Sequence, residues 1–115
     1  MPERPRLALE TRSTNNTSYE DVIKLQLSPD IKGVSFLTLA IDPDPNARYR
    51  IIIARLLIVV DLELTAVWSI SLPHLTSGVY EGFKPGDWII IQHKSISSTV
   101  TVKTGATLQL NEVVK

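Results

Sequence analysis

The stretch Ile51-Ile52-Ile53-Ala54-Arg55-Leu56-Leu57-Ile58-Val59-Val60 decides the fold class of this chain. Most of it is Ile and Val, which lose side-chain freedom in a helix and suit the pleated surface of a strand. A helix over residues 51–66 is the main alternative, because leucines and a glutamate in that range are good helix formers. Arg55 interrupts this apolar run, and the whole run has about half of the roughly 20 residues that a membrane-spanning helix needs. The stretch therefore predicts a buried strand and excludes a membrane span.

The same preference for strand extends outward in both directions, since from Tyr19 onward the hydrophobic period is close to two. Turn-forming residues separate the apolar runs, as in Asp42-Pro43-Asp44-Pro45-Asn46, Lys84-Pro85-Gly86-Asp87 and Thr104-Gly105. The expected strands cover residues 20–27, 34–41, 48–60, 64–72, 87–94, 96–103 and 106–114. Connections this short favour antiparallel pairing. The prediction is an all-β chain folded as an antiparallel β-sandwich or jelly roll of about seven to eight strands.

Length and composition describe one domain, expected over residues 19–115, preceded by a flexible N-terminal arm over residues 1–18. The alternative for the arm is ordering against a neighbouring subunit, which the triplet Leu7-Ala8-Leu9 would permit. Twelve basic residues balance twelve acidic ones, which argues against nucleic acid as a partner. There is no cysteine, so thiol catalysis and disulfides are excluded. No signal peptide is recognisable, so we expect a cytoplasmic location, or the virion if the protein is viral.

Two strands do not alternate between apolar and polar residues. The stretch from Ile51 to Val60 and the run Trp88-Ile89-Ile90-Ile91 place aliphatic side chains on both faces. An exposed row of such side chains would be a sticky patch, so something must cover the second face. A second copy of the chain is the favoured cover, and a loop over residues 73–86 or the N-terminal arm is the alternative. The expected subunit interface is Ile51, Ile53, Leu57, Val59, Ile89 and Ile91.

The search for chemistry finds no catalytic motif, no metal site and no need for a cofactor. Asp42, Asp44 and Asn46 match the opening of a calcium loop, but Ala47 and Ile53 stand where its glycine and glutamate belong. The pair Asp61 and Glu63 is better explained as a solvated strand end than as a catalytic dyad. The remaining candidates are residues of one long loop and the strand that follows it, which would contact a ligand or partner or else plug the open end of the sandwich. They are His74, Tyr80, Phe83 and Trp88.

From Asn46 onward the order of features resembles small β-sandwich proteins of tailed-phage virions, of the head-decoration and fibre type. The resembling parts are the strand Asn46–Ile53, the Gly86-Asp87-Trp88-Ile89 opening of a late strand, and the closing pair over residues 98–105 and 108–113. The resemblance implies a structural role, assembly as a trimer and no catalytic residues. We therefore expect a non-enzymatic assembly protein that acts as a homo-oligomer, with other virion proteins as candidate further partners. The alternative is a carbohydrate-binding module that uses the loop aromatics.

Overall fold

A computed structural model describes residues 2–53, 56–58, 64, 66–72 and 81–115, and within these ranges the chain is all-β without a helix. The predicted all-β class with antiparallel sheets is confirmed. The strands are β1 (Glu3–Thr14), β2 (Glu20–Gln26), β3 (Ile31–Asp42), β4 (Ala47–Ile53), β5 (Leu56–Ile58), β6 (Trp68–Leu72), β7 (Trp88–Ser95) and β8 (Val102–Val114). None of the described residues belongs to a helix long and apolar enough to cross a membrane.

The strands form two four-stranded antiparallel sheets. The β1 sheet has the order β1-β8-β3-β6, and the β2 sheet has the order β2-β7-β4-β5. The pairing is nested, because β1 pairs with β8, β2 with β7, β3 with β6 and β4 with β5. The chain thus runs out through four strands and returns alongside itself through four more, and successive pairs alternate between the two sheets.

One hydrophobic core lies between the sheets, because β3, β4, β7 and β8 turn their apolar alternate residues inward. The β1 sheet contributes Leu39 and Leu108, and the β2 sheet contributes Tyr49 and Ile91, all fully buried. This shared core explains how a chain of 115 residues buries enough apolar surface without disulfides.

The N-terminal segment differs from the prediction of a flexible arm. Glu3–Thr14 is strand β1, paired without a register break along its whole length with β8. The segment is polar because β1 is an edge strand whose alternate residues are exposed to solvent, and this composition suggested a flexible arm. The segment is ordered by pairing with β8 of the same chain, whereas the alternative had been ordering against a neighbouring subunit.

Two other boundaries differ from the predicted strands. The run predicted as one strand over residues 48–60 forms β4 and β5, which pair with each other so that Ile51 faces Ile58. The turn predicted at Thr104-Gly105 lies inside β8, where Gly105 pairs with Thr11 and Asp42. Alternation passes through this glycine unbroken, so the strand expected at residues 106–114 begins earlier, and residues 96–101 form no strand.

Candidate assembly surface

Four of the six predicted interface residues lie in the core of the single chain. Ile51, Ile89 and Ile91 have no exposed surface, and Ile53 is 6% exposed. Arg50 and Ile52 on β4, and Ile90 and Gln92 on β7, take the alternate outward positions, so strand alternation fixes the four isoleucines inward. These four side chains are therefore not an outward surface. The side chain of Leu57 and the whole of Val59 lie outside the described residues.

The outer face of the β2 sheet carries a row of hydrogen bonds across three strands. Arg50 of β4 donates to Gln92 Oε1 on β7 from Nε at 2.9 Å and from Nη2 at 2.7 Å. Gln92 Nε2 in turn donates to Asp21 Oδ1 on β2 at 2.7 Å. Ile52 and Ile90, the outward residues of the doubly apolar strands, are partly covered on this face. The face is thus polar at its centre and compatible with water.

Two aromatic rings on the same face are in contact with cations. Tyr19 lies beneath the Arg50 guanidinium at 4.3 Å and the Lys94 ammonium at 4.7 Å from its centroid. The Lys24 ammonium stands 4.7 Å from the centroid of Trp88, which is 37% exposed. Such contacts contribute about 0.5–1 kcal/mol each at exposed sites.

The predicted ligand loop is only partly described. Phe83 is 2% exposed and belongs to the core, which corrects its expected role as a ligand contact and agrees with the alternative that it plugs the fold. Trp88 begins β7 and remains exposed. His74 and Tyr80 lie outside the described residues.

Among the large apolar side chains of the described strands, the two with the highest exposed fraction lie on β1. Leu7 is 61% exposed and Leu9 is 65% exposed, side by side on the outer face of the β1 sheet. Beside Leu9 a shallow groove of about 380 Å³ is lined by Ala40, Gly105 and Val67, the last 68% exposed. Glu10, Asp42 and Thr107 also line the groove, so its surface is mixed in polarity. Two adjacent exposed leucines mark this face as a candidate interaction surface.

The free edge of the β1 sheet lies directly beside these leucines. Val114 N–H donates to the carbonyl of Pro2 at 3.0 Å, which fixes the phase of the β1–β8 ladder. Because an antiparallel ladder alternates, the backbone groups of Pro5, Leu7, Leu9 and the following odd-numbered residues point away from β8. Pro5, which has no N–H, therefore stands where the ladder with β8 needs none. No described residue pairs with this outward edge of β1.

A buried carboxylate anchors β1 at its N-terminal half. Glu112 of β8 is fully buried and accepts hydrogen bonds from Ser28 N–H at 2.7 Å and from Ser28 Oγ at 2.9 Å. Arg4 Nε at 3.2 Å and Arg6 Nη1 at 3.0 Å complete its shell. Burial alone would raise the pKa of Glu112, but the hydrogen bonds from Ser28 and Arg6 together hold it below the ordinary value. Arg4 also pairs with the exposed Asp30 at 2.6 Å.

A second buried polar cluster joins the two sheets. Thr104 Oγ1 lies 2.9 Å from the Tyr49 hydroxyl and 2.9 Å from His93 Nδ1, and the Tyr49 hydroxyl accepts the Asp44 N–H at 2.8 Å. Burial lowers the pKa of His93 and raises the pKa of Tyr49, since each charged form would be poorly solvated. All three side chains are at most 1% exposed. A substrate has no access to this cluster, which is a structural network.

The aspartate-rich turn before β4 uses its oxygens on the backbone. Asp44 Oδ1 accepts the Asn46 N–H at 2.9 Å, and Oδ2 accepts the Lys103 N–H at 3.2 Å. Both carboxylate oxygens therefore brace the turn against the start of β8. Among the described residues no group of three or more acidic, histidine or cysteine side chains is placed to hold a metal ion. Asp61 and Glu63 lie outside those residues.

Sequence reasoning missed the Glu112 cluster, although a signal was present. Leu108, Leu110 and Glu112 share one parity on β8, so alternation alone places the carboxylate on the inward face. A charge there requires partners. No protein-family model matches this chain, and no curated protein matches it.

Proposed function

We propose that this chain is a non-enzymatic structural protein that works by self-association of a jelly-roll β-sandwich. The strand pairs are nested, from β1 with β8 at the outside to β4 with β5 at the inside, and they alternate between the two sheets. A long hairpin that is rolled up into a jelly roll has this strand order. Viral capsid proteins and lectins share the jelly-roll architecture. That recurrence supports a virion surface or decoration role, with a location in the virion and other virion proteins as further partners.

The observation that carries the proposal is the pair of exposed leucines at an open sheet edge. Leu7 and Leu9 are both more than half exposed, on a regular strand with a free backbone edge. Natural edge strands are normally kept short, charged or bulged because an open apolar edge invites pairing with another chain. Charged residues and Pro5 protect the rest of this edge, but the segment Leu7-Ala8-Leu9 carries neither. A functional partner surface accounts for this unprotected segment.

Internal polar groups support a structural role over a catalytic one. Every buried side-chain nitrogen and oxygen atom in the described residues has a hydrogen-bond partner. Groups held in closed networks, such as Glu112 and His93, stabilise the fold and leave no orphaned acid or base.

Light scattering on the purified chain tests the proposal. The native protein should have a mass that is a multiple of 12.8 kDa at micromolar concentration, and the variant L7S/L9S should return to the monomer mass. The matched control is Ile96→Ser, which removes an apolar side chain that is 50% exposed in the turn before β8 and should leave the oligomer intact. A monomeric native protein contradicts the proposal.

A second candidate function rests on the outer face of the β2 sheet. Trp88 and Tyr19 flank the row formed by Arg50, Gln92 and Asp21, an arrangement suited to hydroxyl groups and ring faces of a carbohydrate. Titration with a glycan panel should quench Trp88 fluorescence, and the variant Trp88→Phe should lose that response while Trp68 remains as internal reference. An unchanged emission across the panel removes this candidate.

A further inference from the structure

We propose that β1 pairs antiparallel with β1 of a second copy about a two-fold axis at Ala8, which joins the two β1 sheets into one continuous eight-stranded sheet. The inference rests on the proposed function, because it identifies the partner and register of the same leucine-bearing edge. It differs from the trimer that the resemblance implies, since pairing of two identical edges closes after two copies.

Backbone geometry limits the possible registers. Hydrogen bonds across the new interface need the outward-pointing odd-numbered residues of one copy to face the odd-numbered residues of the other. An axis at any residue of β1 meets this rule, and the axes at Leu7, Ala8, Leu9 and Glu10, near the middle of Glu3–Thr14, pair most of the strand. The side chains that each axis places opposite each other then distinguish these four registers.

With the axis at Ala8, Leu7 of one copy faces Leu9 of the other, and this contact occurs twice. Arg6 then faces Glu10 of the second copy, also twice, while each keeps its ion pair within its own chain, Arg6 with Glu112 at 3.0 Å and Glu10 with Arg12 at 3.8 Å. Directly opposite apolar pairs and opposite charges both stabilise an antiparallel sheet. Four leucines that are exposed in the single chain thus meet on one face, with two charge pairs on the other.

The other three registers lack this combination. An axis at Leu9 places Arg6 opposite Arg12, and an axis at Glu10 places two glutamates face to face. An axis at Leu7 leaves Leu9 opposite Pro5. Like charges directly opposite each other destabilise a sheet, so the axes at Leu9 and Glu10 are disfavoured. The axis at Leu7 is disfavoured because it places Leu9 opposite a proline and not opposite a leucine.

The Ala8 register also has two unfavourable features at its ends, and ion pairs within each chain moderate the first. Arg4 faces Arg12 of the second copy, but each already has a carboxylate in its own chain, Arg4 with Glu112 at 3.2 Å and Arg12 with Glu10 at 3.8 Å. Pro5 faces Thr11 and supplies no N–H there. The central pairs around Ala8 are free of both effects.

Space beside the edge is available for the second strand. A cleft of about 310 Å³ lies between β1 and β2, lined by Ala8, Glu10, Arg12 and residues 21–24. The even-numbered side chains of the second β1 would point to this side of the sheet, as Ala8 and Glu10 do. The cleft leaves room for them without displacement of β2.

Single cysteines test the register, because the chain has none of its own. In the proposed dimer, residue 8 faces itself across a non-hydrogen-bonded pair with Cα atoms about 4.5 Å apart, within the range for a disulfide. Ala8→Cys should therefore give a covalent dimer on mild oxidation. Leu7→Cys alone and Leu9→Cys alone should not, because each residue lies diagonal to its own copy at about 7–8 Å.

A mixing experiment gives a second measurement that does not depend on the partly buried Ala8. Equal amounts of L7C and L9C should form a covalent heterodimer when oxidised together, since these two positions face each other only with the axis at Ala8. Both positions are exposed, so the fold should tolerate cysteine there.

The outcomes separate the two proposals. A cross-link of L9C or L7C with itself, with none for A8C or the mixture, overturns the Ala8 register while self-association stands. No cross-link in any sample, from a native protein that is oligomeric by light scattering, overturns pairing through β1. A native protein that stays monomeric overturns the proposed function together with this inference.

Discussion

Replacing Glu112 by glutamine tests whether this buried carboxylate holds β1 to the rest of the fold. The substitution keeps the shape and one acceptor oxygen, which can still serve Arg4, Arg6 and Ser28 Oγ. The new amide group, however, replaces the oxygen that accepts Ser28 N–H at 2.7 Å, and two donors then face each other. An unsatisfied buried donor costs about 1–3 kcal/mol, and charge-assisted hydrogen bonds exceed neutral ones by roughly another 1 kcal/mol. Because Arg4 and Arg6 are 42% and 26% exposed, solvent screens part of their loss, and we expect a total of about 2–4 kcal/mol.

Urea unfolding at neutral pH and fixed protein concentration measures this cost as a lower midpoint with an unchanged slope. The matched control is Glu81→Gln, which changes an exposed glutamate in the turn before β7, and its effect should stay within about 0.5 kcal/mol. Because the pKa of Glu112 is lowered in the fold, its contribution is present above the ordinary carboxyl pKa and is lost as the pH falls through the lowered value. The gap between native protein and E112Q should therefore close in acid. Equal stabilities of E112Q and E81Q at neutral pH would refute the reasoning.

Three further predictions concern the interior. Thr104→Val removes the hydroxyl that links Tyr49 to His93 and should cost about 1–3 kcal/mol in urea unfolding, since two buried groups lose a partner; a neutral effect would contradict the network. Because the pKa of His93 is lowered in the fold, the unfolded chain binds a proton at a higher pH than the folded protein does. The free energy of unfolding should therefore fall as the pH drops below about 6.5 toward the lowered value, by at most about 1.4 kcal/mol per pH unit. His93→Gln should flatten that slope, and an equal slope in both proteins would contradict this role of His93. Ile51→Ala and Ile91→Ala should each cost about 2–5 kcal/mol and leave the oligomer mass of the folded fraction unchanged, whereas a monomeric yet equally stable variant would show that these isoleucines form a subunit interface.

The sequence supports the all-β class because β-branched residues at period two specify strands locally. The interface prediction chose the wrong face of the doubly apolar strands, although a local signal was present. Arg50 shares the parity of Ile52, and Gln92 shares that of Ile90, so alternation marks Ile51 and Ile91 as inward. The pairing of residues 3–14 with β8 left no such signal, because an edge strand has few apolar residues and its partner lies about a hundred residues away.

For the candidate surface, the triplet Leu7-Ala8-Leu9 was the only local signal, and it indicated contact with a neighbour. The sequence alone did not show that these leucines lie on a paired strand with a free edge. That property arises from the β1–β8 register, in which Leu7 faces Gln109 and Leu9 faces Thr107. The register is set by contacts over the full length of the chain.

Nested pairing also has a consequence for biosynthesis. Of the eight described strands, β1 is synthesised first and its partner β8 last, so Glu3 cannot meet Val113 until β8 has been made. Contacts between such distant segments slow folding, and all-β domains of this kind fold in about milliseconds to seconds. Throughout that wait both edges of β1 are open, and Leu7 and Leu9 are available to any neighbouring nascent chain. We therefore expect the tendency of newly made chains to aggregate to be greatest just before β8 is complete.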